Sequence, residues 1–328
     1  MASSSFDLVK VLEETYAVER PEGLWLRGVV EAIRPAFEDG LGMAAYIYDA
    51  SVRPLGVREP IVDGALDAAA LAQVMGKSDE SYVRGSWLSK VAATASETPG
   101  FAEHPGVAAV LHPVGIHDVM VVNALDPVGV GCFVGAPLRA VRRLSDAERD
   151  RWEHVGAHIR SALRLRLRLG SQGARSEDGA TGDIEAVLSH SGKVEHVEKA
   201  AEGARDALRE AVIGIDRARR SLRRKPSRAL ASWPALVRAR WTLVHEFEAG
   251  DDRFIIARAN GAATKGPATL SARERQVVGL LAMGHSPKVI AYELGLSHST
   301  IRVLITRARI KLGARSREDL IAKLRATT

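Results

Sequence analysis

Apolar and polar positions alternate along this chain in patterns that predict helices and strands in a definite order. Residues 6–38 repeat apolar positions at helical spacing, with a break at the sequence ERPEG. Extended runs follow at residues 43–50 and 118–137, and the second run is typical of two strands with a turn at Asp126-Pro127. The first half of the chain therefore predicts a unit that mixes helices with a sheet.

A long helix is predicted to close this unit. Ser145 and Glu148 have the spacing of a capping box, in which two side chains satisfy free backbone N–H groups at a helix start. A single apolar stripe follows at helical spacing: Trp152, Val155, Ile159, Ala162 and Leu163. The helix ends in LRLRLRL, which places leucines on all sides. Pairing with a second copy of the chain would bury some of them, and we predict a homodimer.

A second, smaller unit of helices and strands is predicted after a polar, glycine-rich linker at 170–182. It begins with two strands around Ser191-Gly192, continues through two helices, and ends in a hairpin that turns at 249–252. A second linker is predicted at 262–268. These boundaries divide the chain into predicted domains at 1–169, 183–261 and 269–328.

The last 58 residues lack a strand pattern and predict four helices. Each helix has a serine at the position expected for its N-cap: Ser271, Ser286, Ser297 and Ser316. Gly284, Gly295 and Gly313 are expected to end the first three helices. Two helices joined by a tight turn, at about 285–304, form the pattern of a helix-turn-helix motif, so this region predicts an all-α domain.

Charge is distributed unevenly along the chain. The net charge is +6, with 46 Lys and Arg against 40 Asp and Glu. Residues 271–328 hold eleven basic and four acidic residues, or +7, which leaves −1 for the rest. A basic module on a nearly neutral body favours binding to a polyanion, with nucleic acid ahead of an anionic membrane surface.

The third C-terminal helix carries the candidate nucleic-acid contacts. Arg302, Val303 and Thr306 lie on the face opposite its apolar anchors, where an arginine can read guanine and a valine can touch a thymine methyl group. The remaining candidates suit phosphate oxygens or flank the reading face: Lys288, Ser299, Thr300, Arg307, Arg309 and Lys311. The alternative is a solvated basic helix that packs on the other three.

The segments LSARERQVV, KVIAYELGLS, STIRV and KLGARSREDL together resemble the LuxR-type DNA-binding domain of bacterial transcription factors. The resemblance covers about 58 of the 328 residues. It implies a four-helix DNA-binding domain in which Arg302, Val303 and Thr306 read bases. Leu304 replaces a frequent histidine, and Thr306 stands where some members carry a base-contacting lysine, so the preferred DNA sequence is left open.

The regions before this domain resemble sensor domains. The order helix, strand, long insert, two strands and long closing helix is similar to a GAF-type domain, and residues 183–261 resemble a PAS-type domain. Both folds enclose small molecules or mediate dimerisation. Four polar aromatic residues are candidates for lining a ligand pocket, with core or rim positions as the alternative: Tyr46, Tyr48, Trp87 and His112.

The sequence carries few signs of catalytic, redox or metal sites. The sequence contains no G-x-S-x-G, no H-E-x-x-H and no phosphate-binding glycine loop, so we predict no enzyme activity and no cofactor. Cys132 is expected to be a buried thiol in a reducing compartment rather than a redox sensor. His154 and His158 have i, i+4 spacing, but we expect no metal site. The basic cluster at 217–228 is interpreted as a solvated helix face, with an accessory phosphate contact as the alternative.

We therefore expect a cytoplasmic transcriptional regulator that binds double-stranded DNA as a dimer. Its N-terminal regions would receive a small-molecule or protein signal, and no membrane association is expected. The alternative is a signalling scaffold that holds a protein partner and binds DNA without sequence preference. An enzymatic N-terminal half is a third possibility.

Overall fold

A computed structural model describes residues 6–37, 40–52, 55–79, 82–83, 90–173, 184–249, 252–260 and 267–327. It divides into two compact units. The first comprises Pro21–Arg160 with Phe6 and Met283–His285, and the second comprises Asp7–Arg20, Ser161–Ala282 and Ser286–Thr328. The domain boundaries expected from the sequence stay predictions.

The described elements alternate between helices and strands in the first 260 residues and are helical thereafter. The helices are α1 Leu8–Thr15, α2 Glu22–Phe37, α3 Ala68–Gly76, α4 Asp146–Gly173, α5 Arg205–Arg219, α6 Pro226–Ser232, α7 Ala272–Ala282, α8 Pro287–Leu294, α9 His298–Lys311 and α10 Arg317–Thr327. The strands are β1 Ala44–Asp49, β2 Gly56–Val62, β3 Ala92–Thr94, β4 Asp118–Leu125, β5 Val130–Leu138, β6 Ile184–Ser189, β7 Val194–Val197, β8 Trp241–Ala249 and β9 Asp252–Ala259.

The first unit is built on an antiparallel sheet with the strand order β2-β1-β5-β4-β3. The predicted strands β1, β4 and β5 are confirmed, and the turn at Asp126 joins β4 to β5, with the Gly129 N–H donating to the Asp126 carbonyl at 2.9 Å. The region treated as a long insert contributes β2, α3 and β3.

Helix α4 starts where its capping box predicts. The backbone N–H of Ser145 donates to Glu148 Oε2 at 3.0 Å, and the N–H of Glu148 donates to Ser145 Oγ at 3.3 Å. Two of the unpaired backbone N–H groups at the helix start are thus satisfied. Near the other end of the helix, Leu163 and Leu165 are fully buried within one copy of the chain. Burial of these two leucines therefore does not require a second copy, and the homodimer stays a prediction.

The second unit contains an antiparallel sheet with the strand order β7-β6-β9-β8. The predicted turn at Ser191-Gly192 is confirmed, and Gly192 has a φ of +85°, a left-handed conformation that glycine adopts without strain. The hairpin between β8 and β9 is present, but residues 250 and 251 at its predicted turn lie outside the described residues.

A buried polar network ties the middle of α4 to this second sheet. Asn260 Nδ2 donates to the Ser161 carbonyl at 2.8 Å and to Thr242 Oγ1 at 2.6 Å. The Ser161 hydroxyl in turn donates to the Ala235 carbonyl at 3.0 Å. Since buried polar groups cost free energy unless they are paired, these bonds fix residue 161 against β8 and against the segment around Ala235.

The C-terminal helices α7 to α10 share one apolar core. It is formed by side chains that are all buried: Leu270, Val277, Val278, Leu280, Leu281, Ile290, Ala291, Leu294, Ile301, Ala308, Leu320 and Leu324. Leu236 and Ala239, from the segment before β8, are part of the same core. The helical domain therefore packs on residues that precede it by some 30 positions. Among the described residues, no helix has both the length and the apolar character that crossing a bilayer requires.

Candidate nucleic-acid interface

The helix-turn-helix pair is formed by α8 and α9, and local sequence determines where each begins. The Ser286 side chain accepts the N–H of Val289 at 3.3 Å, and Pro287 occupies the first helical position, where its missing N–H costs nothing. The Ser297 side chain accepts the N–H of Thr300 at 3.1 Å and starts α9. These caps confirm the predicted helix starts.

Gly295 makes the turn between the two helices. It ends α8 in the left-handed conformation with a φ of +57°. It also lies so close to the neighbouring segment that an added Cβ would sit 2.1 Å from the carbonyl oxygen of Leu236. Glycine is thus required here both for the backbone conformation and for the space.

Helix α9 has one buried face and one exposed face. Ile301 and Ala308 are fully buried and anchor the helix to the core. On the other side all eight predicted contact residues of this helix are exposed: Ser299, Thr300, Arg302, Val303, Thr306, Arg307, Arg309 and Lys311. The sequence from 297 to 313 contains no acidic residue, so this face is basic along its length.

Two large apolar side chains on this face are exposed to solvent. Val303 is 48% exposed and Ile310 is 71% exposed. An isolated exposed apolar side chain is ordinary on a protein surface. Val303 lies next to Arg302 in the first half of the helix, where the sequence predicts contact with bases.

The start of α9 carries a cluster of hydroxyl groups. Ser297 Oγ lies 2.8 Å from Ser299 Oγ and 2.8 Å from Thr300 Oγ1. Backbone N–H groups at a helix start and neighbouring hydroxyls are suitable donors for a phosphate oxygen. Lys288, at the start of α8, is also exposed.

Lys311, predicted as a phosphate contact, is also engaged within the domain. Its Nζ donates to Oε2 of Glu274 at 2.7 Å, and the N–H of Ser271 donates to the same oxygen at 2.7 Å. The Lys311 ammonium, and then the Ser271 N–H, lower the pKa of the Glu274 carboxyl. The buried carboxylate therefore links the start of α7 to the end of α9.

The amino-acid sequence of this region also matches a known protein family. Residues 268–324 match the model of the bacterial regulatory proteins of the luxR family. This segment is a LuxR-family domain. The family domain is that of a DNA-binding transcription regulator, and the matched residues span α7, α8 and α9 and most of α10.

Comparisons of the whole chain are less informative. No curated protein matches it. Among solved structures, SdiA in complex with octanoyl-rac-glycerol is similar over 97% of this chain and 88% of that chain, with 10% sequence identity and a TM-score of 0.25. A TM-score this low gives no basis for transferring fold or function.

The LuxR-family domain is held by contacts that sequence patterns did not indicate. The Tyr292 hydroxyl, on α8, donates to the carbonyl oxygens of Leu230 and Trp233 at 3.0 and 3.1 Å. Arg273, on α7, donates to the carbonyls of Arg238 and Ala239 at 2.6 and 2.9 Å. These acceptors are backbone groups, and no side-chain pattern marks a backbone acceptor.

Among the predicted ligand residues that the structure describes, Tyr46 and Tyr48 are neighbours with ring centroids 6.2 Å apart, and neither Tyr48 nor His112 lines the cavity beside Tyr46. Tyr46 lines a cavity of about 100 Å³ in the first unit, together with mainly apolar side chains such as Phe101 and Phe133. Tyr48 is fully buried and donates to Asn123 Oδ1 at 2.8 Å. His112 is exposed beside His117, with ring centroids 5.3 Å apart, and Trp87 lies outside the described residues.

The cysteine and the histidine pair considered as redox and metal candidates are buried, and part of the basic cluster at 217–228 is paired with other side chains. Cys132 is fully buried, and burial raises its thiol pKa to about 12. Burial lowers the pKa of His158 to about 3. Within the described residues, no group of three or more potential ligands could hold a metal ion. In the basic cluster, Arg223 Nε donates to Asp7 Oδ2 at 2.7 Å, so part of that face is paired rather than solvated.

Proposed function

We propose that the chain is a sequence-specific transcriptional regulator that inserts α9 into the major groove of DNA. The exposed face of α9 carries this proposal, because basic and apolar side chains that suit base edges stand on a helix whose other face is locked into the core. In a helix-turn-helix, the start of the second helix meets the bases.

Arg302 and Val303 are assigned the reading of sequence. Arginine can donate two parallel hydrogen bonds to guanine O6 and N7, a contact worth about 1–3 kcal/mol of discrimination. Val303 can lie against a thymine methyl group, and Thr306, one turn further on, completes the face. The remaining basic and hydroxyl residues hold phosphates and set the register of the helix in the groove.

We further propose that the protein acts as a dimer under the control of a signal. Dimers of this motif bind half-sites about one helical turn apart. The element order α2, β1, an insert, β4, β5 and then α4 supports a GAF-type sensor in this part of the chain. Its apolar cavity beside Tyr46, of about 100 Å³, would hold only a very small apolar molecule as the signal.

Selection of genomic fragments by the full-length protein tests this function. We expect a few fragments to be enriched at physiological salt. Arg302→Ala should lose that enrichment, because one mismatched contact costs about 1–3 kcal/mol and the competing non-specific sites are abundant. Arg205→Ala, which removes the same charge from an exposed position of α5, is the matched control and should retain the enrichment.

A salt series separates the regulator from a scaffold. If the wild-type protein binds all fragments equally and its affinity falls steeply with salt, only phosphates are contacted. That result would contradict sequence-specific regulation and would favour a scaffold that binds a protein partner.

A further inference from the structure

A second cavity lies in the second unit, distant in sequence from the residues predicted to bind a ligand. Its volume is about 370 Å³, within the range typical of small-molecule sites. It is bounded by α1, α5, the residue after α6, and strands β8 and β9. The residues that line it are Glu13, Tyr16, Ala17, Ile215, Arg219, Trp233, Leu243, Val244, Arg253 and Ile255.

Trp233, which lines this cavity, carries an unused hydrogen-bond donor. The side chain is 1% exposed, and its indole Nε1 has no hydrogen-bond partner within the described part of the chain. Burying a donor without a partner costs about 1–3 kcal/mol, a cost that a bound acceptor would remove. The ring is held in place by stacking on Tyr16, with centroids 6.1 Å apart and planes 8° from parallel.

Arg219 supplies positive charge beside the same ring. Its guanidinium carbon lies 4.9 Å from the centre of the Trp233 ring, and burial lowers its pKa. It forms an ion pair with Glu13, with Arg219 Nε 3.6 Å from Glu13 Oε1. Glu13 accepts hydrogen bonds from Arg223 at 3.2 and 3.3 Å, so this carboxylate already has a closer partner.

The walls and charges of the cavity specify the class of ligand. Ile215, Leu243, Val244 and Ile255 provide apolar surface, and Arg219 and Arg253 outnumber the one carboxylate, Glu13. We propose that this cavity binds a small organic anion with an apolar body, whose acid group pairs with Arg219 and accepts a hydrogen bond from Trp233 Nε1. A guanidinium that is partly desolvated binds a carboxylate more strongly than one in water does.

The same tryptophan connects the cavity to the helix-turn-helix. Its carbonyl oxygen, with that of Leu230, accepts the hydroxyl of Tyr292 on α8. A ligand that shifts Trp233 therefore shifts an acceptor on which the first helix of the motif rests. This second step, control of DNA binding by the anion, depends on the regulatory function proposed above.

Binding is tested with phenylbutanoate, an aryl carboxylate, against its neutral amide. Calorimetry on the full-length protein should show that the acid binds at least tenfold more tightly. The Trp233 indole N–H resonance, assigned with Trp233→Phe, should move on addition of the acid. Equal affinity for acid and amide, or an unmoved resonance, would overturn the assignment.

Two arginine variants locate the anion. Arg219→Gln should weaken phenylbutanoate binding by about tenfold or more, as expected for the loss of a charge-assisted hydrogen bond. Arg220→Gln removes the same charge from the next residue, which is exposed and paired with Asp216 at 2.9 Å, and should bind like the wild type. If both variants lost the same affinity for phenylbutanoate, the effect would come from net charge alone, and Arg219 would not be the binding residue.

Coupling is tested on the selected DNA fragments. Saturating phenylbutanoate should change the DNA affinity of the wild-type protein at least threefold, and the change should disappear in Tyr292→Phe while phenylbutanoate still binds. If phenylbutanoate binds but does not change the DNA affinity, the proposed coupling is wrong, while the proposed function as a regulator still stands. Absence of specific DNA binding with normal binding of the acid would instead contradict the proposed function alone.

Discussion

The buried carboxylate of Glu274 accepts hydrogen bonds from two donors that are far apart in sequence, the Ser271 N–H and Lys311 Nζ. Ser271, which the sequence predicts as an N-cap, forms a capping box with Glu274. The ion pair with Lys311 joins residues 37 positions apart, and a single sequence carries no signal for such a pair. For that reason Lys311 was interpreted from the sequence only as a phosphate contact, a role that stays a prediction.

The pKa of Glu274 is lowered in the folded protein, which fixes the sign of its effect on stability. The unfolded carboxyl takes up its proton first as the pH falls, so its contribution to stability is complete above the ordinary carboxyl pKa and declines as the pH falls towards the folded value. We expect Glu274→Gln to lower the free energy of unfolding at neutral pH by roughly 1–3 kcal/mol, because Lys311 loses its charged partner.

Chemical denaturation at a series of pH values between neutral and acid measures this effect. The difference between Glu274→Gln and the wild-type protein should shrink as the pH falls below the ordinary carboxyl value. Glu202→Gln, an exposed position in the second unit, serves as the control and should follow the wild type. A difference that is constant with pH would contradict the role of the charge.

Among the elements, the turn after α8 shows how one glycine serves two purposes. Glycine at the end of a helix was predictable from sequence, and both Gly295 and Gly313 adopt left-handed φ values, +57° and +59°. The approach of Leu236 to Gly295 was not predictable, because it depends on a segment that packs against the domain from outside it. The open surroundings of Gly313 make it a matched reference.

We expect Gly295→Ala to destabilise the protein more than Gly313→Ala. Both variants place a Cβ in the left-handed conformation at a cost of about 1–2 kcal/mol. Gly295→Ala adds a clash with the Leu236 carbonyl, whereas the nearest atom at Gly313 is Nζ of Lys323 at 3.9 Å, an ordinary contact distance. Denaturant unfolding of the two variants measures the difference. Equal losses would mean that the Leu236 segment does not contact the turn in solution.

The elements missed from the sequence have local explanations. Strand β2 lies at the edge of its sheet and contains Pro60, a residue that argues against a strand unless the strand is an edge. Strand β3 spans only Ala92–Thr94, too short to show an alternating pattern. Helix α3 has no buried side chain, so it lacks the apolar stripe by which the other helices were recognised.

In the whole molecule, compact units do not follow the order of the chain. Helix α1 lies in sequence between Phe6 and Pro21, which belong to the first unit, but is itself part of the second, where Tyr16 stacks on Trp233. The sequence pattern predicts α1 as a helix, and the predicted domain at 1–169 groups it with the residues that follow it. A break in composition can mark a linker, but it cannot show that a segment returns to a later part of the chain.

A pair of leucine variants tests this placement. Leu12 on α1 and Leu26 on α2 are both fully buried, and Leu→Ala in a core costs about 2–5 kcal/mol. Leu12→Ala should accelerate amide hydrogen exchange in β8 and β9, and Leu26→Ala should accelerate it in β1 and β5. If Leu12→Ala instead loosened β1 and β5, α1 would belong with the first unit.

The return of α1 to a late part of the chain sets an order for folding during synthesis. Ala235, whose carbonyl faces the Tyr16 hydroxyl at 3.4 Å, is added 219 residues after that tyrosine. At about 5–20 residues per second, roughly 10 to 45 s pass before α1 meets its partners. In that time the strands of the first unit are completed and can pair. The apolar face of α1 remains exposed to solvent until the residues of the second sheet have been synthesised.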